Sequence, residues 1–326
     1  MSTAPVERIA DALLYEGYML YPYRPSSVKN RQRFNFGVLL PEAWIEGHPG
    51  GSERAFLQME CLLLGNGSTT LTVRVRFLQL VERLTIRDVA ESWHEAVDRV
   101  VQLDCTIGQL LVAPRRNRFT AAAGEQVESL DAEPGTTGIV VRRQQALTGL
   151  VEASAEPCGD GVVRLRVLVA NRTALPHGDL TRDDALLRSL VSAHAILETQ
   201  GGEFVSLLDP PEPLAEAAAA CQNQGVWPVL AGEDGARNTL LASPIVLYDF
   251  PTIAPESAGD LFDGTEIDEI LSLRIMSLTD EEKSEVRRSD ERARRLLERT
   301  ESLAEEEMMK LHGALRRPDP LQEERS

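Results

Sequence analysis

The sequence predicts an α+β fold: an antiparallel β-rich body with an α/β segment and a helical C-terminal extension. Two shifts in pattern carry that reading. Up to about Thr173, apolar and polar residues mostly alternate with a period of two, and beyond it capped segments with helical spacing take over. From Pro251 onward the chain is densely charged and helical in pattern. The expected organisation is a β-rich domain with an N-terminal helix over residues 1–175, and an α/β segment packed on it over 176–250. A helical extension over 251–314 and a disordered tail over 315–326 follow. At 326 residues the chain is long enough for two compact domains, or for one large domain with an appendage.

The first element is a helix in "VERIADALLYEG", where Ile9, Leu13 and Leu14 share a face and Gly17 is placed to stop it. "RFNFGVLLP" reads as a strand ended by Pro41, and "RAFLQMECLLLG" and "TTLTVRVRFLQLVERLTI" as the next two, joined by turn chemistry at Asn66 to Ser68. In the last of these Leu71, Val73, Val75 and Phe77 share one face while Leu78 and Leu80 lie on the other, which predicts a bulge near Phe77 or burial on both faces. "ESWHEAVDRVVQL" fits helix and strand equally. A long hairpin turning at "GDG" is expected next, with Leu165, Val167 and Val169 alternating against Arg164, Arg166 and Leu168. Thr181 caps a helix in "TRDDALLRSLVSAHAIL", and "PPEPLAEAAAACQNQG" reads as another, with Gly225 just past its end. "NTLLASPIVLYDFP" returns to strand. Thr265 precedes a further helix, and capping-box pairs Thr279/Glu282 and Ser302/Glu305 open two more.

Bulk properties narrow the class of function. A net charge of -17 repels phosphate, so a surface-wide nucleic-acid binder is excluded, although a local cationic site is not. No run approaches the ~18 apolar residues that cross a bilayer. The N-terminus lacks the basic-then-apolar pattern of a signal peptide, which makes the cytoplasm the expected compartment. Cys61, Cys105, Cys158 and Cys221 are scattered singly and read as reduced, mostly buried thiols.

Recognisable chemistry is sparse. His48, His94, His177, His194 and His312 stand far apart, without CxxC, HxH or HExxH, so no metal site or cofactor is expected, and His194 reads as a core residue. The glycine pairs in "GNGS" and "GDGVV" are turns between strands rather than phosphate cradles, and no G-x-S-x-G elbow is present. No catalytic residue is assigned.

The one positive signal is "YEGYMLYPYRPSSVKNRQRFNFG". Four of the chain's five tyrosines fall in Tyr15 to Tyr23, and no acid lies between Gly17 and Pro41. Tyr21, Tyr23, Arg24, Lys29, Asn30, Arg31 and Arg33 form a candidate surface for a partner or an anion, since arginine's planar fork suits carboxylate and phosphate. Against it stands an acidic segment carrying Glu256, Asp260, Asp263, Glu266, Asp268 and Glu269, with no base before Arg274. Three readings stay open: the segments neutralise each other, the basic loop meets an outside ligand or protein, or it is merely solvated. Juxtaposition would relieve both one-signed repulsions, with the tyrosine rings as an amphipathic floor. The acids lack the spacing of a calcium loop, and Asp263-Gly264-Thr265 reads as a turn into a helix. Farther on, Asp290/Arg294, Glu291/Arg295 and Glu306/Lys310 are favourable helical pairs, and Val286, Ala293, Leu296, Leu297 and Leu303 form a thin apolar stripe.

These terminal segments, "LLYEGYMLYPYRPSSVKNRQRFNFGVL" and "SPIVLYDFPTIAPESAGDLFDGTEIDEILSLRI" extended by "SLTDEEKSEVRRSDERARRLLERT", resemble an uncharacterised bacterial family. Its members are encoded among the structural and accessory genes of nickel–iron hydrogenases of the actinobacterial type. The resemblance covers both ends of the chain and the middle only loosely. It implies a non-catalytic role in assembly or maturation, with a hydrogenase subunit or maturation factor as protein partner. The paired cysteines and histidines of a nickel or iron carrier are missing, which argues against metal delivery. Elemental analysis of the purified protein should find no stoichiometric nickel, iron or zinc, and one equivalent surviving chelation would move the function toward a metallochaperone.

Overall fold

A computed structural model describes residues 4–16, 34–86, 90–129, 138–252, 275–289 and 291–302. The chain divides into two compact units, residues 1–18 with 34–252, and residues 19–33 with 253–326. The first unit opens with α1 (Ala4–Leu14) and α2 (Glu42–Gly47). There follow β1 (Phe56–Leu64), β2 (Thr70–Ile86), β3 (Ala90–Thr106), α3 (Ile107–Val112), β4 (Arg115–Ala121), β5 (Gly124–Ser129) and β6 (Ile139–Gln144). The hairpin β7 (Leu147–Gly159) and β8 (Val162–Asn171) comes next, then α4 (Arg182–Leu186), β9 (Val191–Gln200), β10 (Glu203–Phe204), α5 (Ala215–Ala219), β11 (Trp227–Leu230) and β12 (Thr239–Ser243).

Every pairing between these strands is antiparallel, as the alternating sequence predicts. One sheet runs β10-β1-β8-β7-β4, and the other runs β11-β12-β9-β2-β6-β5 with β3 on the remaining side of β2. Their inner faces share one core, which joins Met59 and Cys61 of β1 and Val167 of β8 to Val73 and Phe77 of β2 and Ala195 of β9. The result is a β-sandwich closed by alternating inward residues from both sheets.

Strand β2 organises the second sheet. It pairs with β3 along its whole length, with β9 over its first half and with β6 over its second. The register against β9 shifts between Arg76 and Leu78, and Ser192 opposite adopts φ 53°, so the bulge sits on the partner strand. Leu78 and Leu80 are buried on the face away from Val75 and Phe77. Burial on both faces therefore explains the phase change, while the irregularity expected near Phe77 falls on β9 opposite and leaves the alternation of β2 itself unbroken.

Helix α1 covers the outer face. Its Val6, Ile9, Ala10 and Leu13 pack against Ile196, Val229, Ala231 and Leu241. Outward-pointing Arg74 and Arg76 would otherwise be stranded beneath it. Glu7 bonds both guanidinia, and Asp11 takes Arg76 at 2.7 Å. Tyr15, just past the helix, donates to Asp98 on β3.

His194 lies under this helix, directly across from Arg76. It is wholly buried; its Nδ1 donates to Ser192 O at 2.8 Å, and its Nε2 has no hydrogen-bond partner.

Several local expectations give way to tertiary context. "RFNFGVLLP" contributes only bridges at Leu39, because Phe34 and Gly37 take positive φ and break the extension. Thr181 does cap a helix, with the reciprocal Asp184 bonds of a capping box. That helix ends at Leu186, however, and "VSAHAIL" is strand, claimed by β2 on one side and β12 on the other. The proline-led helix shrinks to a 3₁₀ turn (Glu212–Leu214) and α5. The ambiguous "ESWHEAVDRVVQL" is strand β3. The strand expected at "NTLLASPIVLYDFP" ends at Ser243.

In the second unit, Thr279 and Glu282 exchange the bonds expected of a capping box at the start of α6 (Asp280–Ser289). Glu301 of α7 (Glu291–Glu301) receives Lys283 and Arg287 of α6, and Val286, Leu296 and Leu297 are buried. The helix expected at Thr265, the pair Ser302/Glu305 and the tail lie wholly or partly outside the described residues.

Burial pushes the His194 imidazole down to about 4; the hydrogen bond to Ser192 O opposes it, the neighbouring Arg76 charge adds to it and Asp11 opposes it least. The unfolded imidazole titrates near 6.5, so stability present above that pH is lost as pH falls toward 4, by up to about 3 kcal/mol. Denaturant titrations across this window should show that loss, and a shallower one for His194→Asn. Equal slopes for the two proteins would refute the assignment.

Candidate functional site

The residues singled out for recognition, Tyr21, Tyr23, Arg24, Lys29, Asn30, Arg31 and Arg33, lie outside the described residues. So do Glu256, Asp260, Asp263, Glu266, Asp268 and Glu269, and with them the expected pairing of the two segments.

Among the described residues, one surface combines exposed apolar groups with unpaired cations. Thr106 and Gln109 form a capping box that starts α3, whose Ile107 and Leu110 enter the core. A helix this short can bury only one face, so Leu111 and Val112 turn outward, 42% and 86% exposed. The chain then passes Pro114 into β4, which edges its sheet and pairs only with β7.

Alternation along β4 sorts its side chains. Phe119 packs inward, its ring centroid 5.6 Å from that of Phe77, over Gly149, where a Cβ would stand 2.1 Å from the ring. Asn117 reaches Gln102 O of β3 at 2.7 Å. Arg116 and Arg118 point the other way. Arg116 bonds Glu152 of β7, whereas Arg115 and Arg118 form no ion pair among the described residues. The signal in the sequence is "LLVAPRRNRF", an apolar pair followed by three arginines, which the longer basic run near the N-terminus overshadows.

Clefts lie elsewhere among the described residues, two of them formed by residues outside α3 and β4. The larger, about 380 Å³, is lined by Thr70, Thr72, Glu198, Glu233 and Asn238 beside Val6. Its lining includes no histidine, lysine or cysteine, and Glu198 is engaged by Arg74 at 3.3 Å, which leaves no acid–base pair poised for catalysis. The smaller, about 210 Å³, brings together Arg54, Arg182 and Trp227.

Thiols and metal ligands offer less. Cys61 and Cys105 are buried, which pushes both thiols up, Cys105 to about 11; this is the opposite of nucleophilic activation. Cys221 is also raised by burial, against a nearby Arg164. No group of three or more His, Cys, Asp or Glu side chains among the described residues has the geometry to hold a metal ion. No described helix is long and apolar enough to cross a membrane. No family model matches the chain, and no curated protein matches it.

Proposed function

We propose that this chain is a non-catalytic accessory protein that acts by recognising another protein, and that the partner is a subunit or maturation factor of a nickel–iron hydrogenase. The observation that carries the recognition reading is the surface from Leu111 to Arg118. Exposed Leu111 and Val112 are followed on the edge strand by Arg115 on one face and Arg118 on the other, neither ion-paired among the described residues, and apolar area beside free arginine is the composition favoured at protein interfaces. On a chain of net charge -17, such a surface selects an acidic partner face while the rest of the molecule repels one. The resemblance of the terminal segments supplies the identity of the partner, and the N-terminal pattern, unlike a signal peptide, points to the cytoplasm as the compartment.

A second reading, a binding protein or enzyme for a small anion held by Arg24, Lys29, Arg31 and Arg33, rests on that run of cations, which no acid interrupts between Gly17 and Pro41.

Affinity purification at native expression, with identification of co-eluting proteins, tests the first reading. A hydrogenase subunit or maturation factor should co-elute at low salt and weaken as salt rises. The double substitution Arg115→Glu with Arg118→Glu should reduce its recovery at least tenfold without changing the melting temperature. Recovery unchanged by the double substitution would remove the Leu111–Arg118 surface from the interface, and absence of any hydrogenase component would refute the partner.

A further inference from the structure

We infer that the cleft between Arg54, Arg182 and Trp227 binds a small organic oxyanion, a carboxylate or phosphate monoester carrying an apolar or aromatic body. The walls of the cleft are fixed by backbone pairing. Leu40 N donates to Arg54 O at 2.9 Å, Ala193 N to Gly37 O at 2.9 Å, and Gln58 and Gln224 exchange bonds of 3.0 and 2.8 Å. The last pair positions Gly225, whose φ of +76° suits glycine. Any Cβ there would stand 2.9 Å from Arg54 Cδ and 3.0 Å from its Nη1, so the Arg54 side chain passes close over the bare Gly225 backbone.

Charge within the cleft does not cancel. Glu53, its one carboxylate, is spent: Oε1 accepts from Arg182 Nε at 2.6 Å and Oε2 from Trp44 Nε1 at 3.3 Å. The side chain of Arg54 has no hydrogen bond or ion pair among the described residues, and Arg182 uses only its Nε on Glu53. One net positive charge therefore remains among the described lining residues, with the Arg182 fork held by Glu53 through its Nε, and planar donors of this kind suit a carboxylate or phosphate. Preorganisation removes much of the entropic cost of ordering a long side chain on binding.

The neighbouring wall sets what accompanies the anion. Trp227 is 44% exposed, while Trp44 and Trp93 are buried, so it is the indole that offers a face to a ligand. Aromatic faces favour apolar or planar bodies, and can also receive the edge of a guanidinium. A volume of about 210 Å³ falls below the ~300 Å³ at which sites for larger ligands begin, so the occupant is a small acid or ester rather than a dinucleotide or an extended peptide.

Tryptophan emission provides the assay, using the full chain with phenyl phosphate, phenylacetate and, as neutral control, benzyl alcohol. Saturable quenching or a blue shift is expected with at least one anion, is absent with benzyl alcohol and is lost in Trp227→Phe. The two anions decide between phosphate and carboxylate. Arg54→Gln should raise the dissociation constant at least tenfold, and Arg54→Lys, which keeps charge but loses the fork, by a smaller factor. Because Arg54 is exposed, circular dichroism of both variants should match the parent, and either variant alone carries the comparison. Titration curves that do not saturate with either anion, or that are unchanged by both substitutions, overturn the inference. No protein partner enters this experiment, so its failure leaves the proposed recognition surface standing.

Discussion

The bonds from Glu7 and Asp11 to Arg74 and Arg76 are the interaction on which the second sheet depends. Strand β2 is buried on both faces, yet its outer face carries two arginines, and the side chain of Arg76 is only 9% exposed. Removing a guanidinium from water is costly unless an opposite charge and further hydrogen bonds replace the solvent. An eleven-residue helix is too short to be stable alone, so α1 exists because it docks. Each side therefore requires the other: the arginines need the helix's carboxylates, and the helix needs the apolar floor of Ile196, Val229 and Leu241. The neutrality of His194 belongs to the same arrangement, since a second buried cation beside Arg76 would have no carboxylate left to meet it.

Elsewhere on the first unit, strand arginines are matched to glutamates on neighbouring strands. Arg142 bridges Glu95 and Glu128, Arg143 meets Glu125, Arg164 meets Glu156 and Arg83 meets Glu95. Exposed pairs of this kind add little stability, typically ~0–1 kcal/mol each, but they consume positive charge. Against that background Arg54, Arg115 and Arg118, like Arg8 and Arg237, form no ion pair among the described residues; what distinguishes the first three is their setting, a cleft beside Trp227 and an edge strand beside exposed Leu111 and Val112.

Much of the fold was legible because antiparallel sheets write themselves as alternation, and β1, β2, β7 and β8 lie where the pattern puts them. The exceptions share one cause. "VSAHAIL" has the composition of either element, and two hydrogen-bonding neighbours overrode the capped helix that begins at Thr181. The segment at Phe36 and Gly37 reads as strand but threads beside the bulge in β9, its carbonyls accepting from the backbone N–H groups of Ser192 and Ala193. The surfaces were harder to see. Arg54 and Trp227 are far apart in sequence and meet only because Gln58 pairs with Gln224, a contact no local pattern announces. The arginines of β4 were visible as letters, but whether they were paired depended on the strand beside them.

The two proposed surfaces of the first unit lie on different strands of one sheet. Arg54 enters β1, while Arg115 and Arg118 lie on β4, with β8 and β7 between the two strands. Three inter-strand steps of ~4.8 Å place the strands about 14 Å apart. That exceeds the ~10 Å screening length at moderate salt. An anion seated on Arg54 would thus leave the field at β4 largely unchanged, and an acidic partner docked on β4 would not fill the cleft. Each surface keeps its own uncompensated charge, so recognition of a protein and capture of a small anion are compatible in one molecule. Coupling between them would have to pass through the packing of β8 and β7. Those strands pair continuously from Leu150 to Pro157.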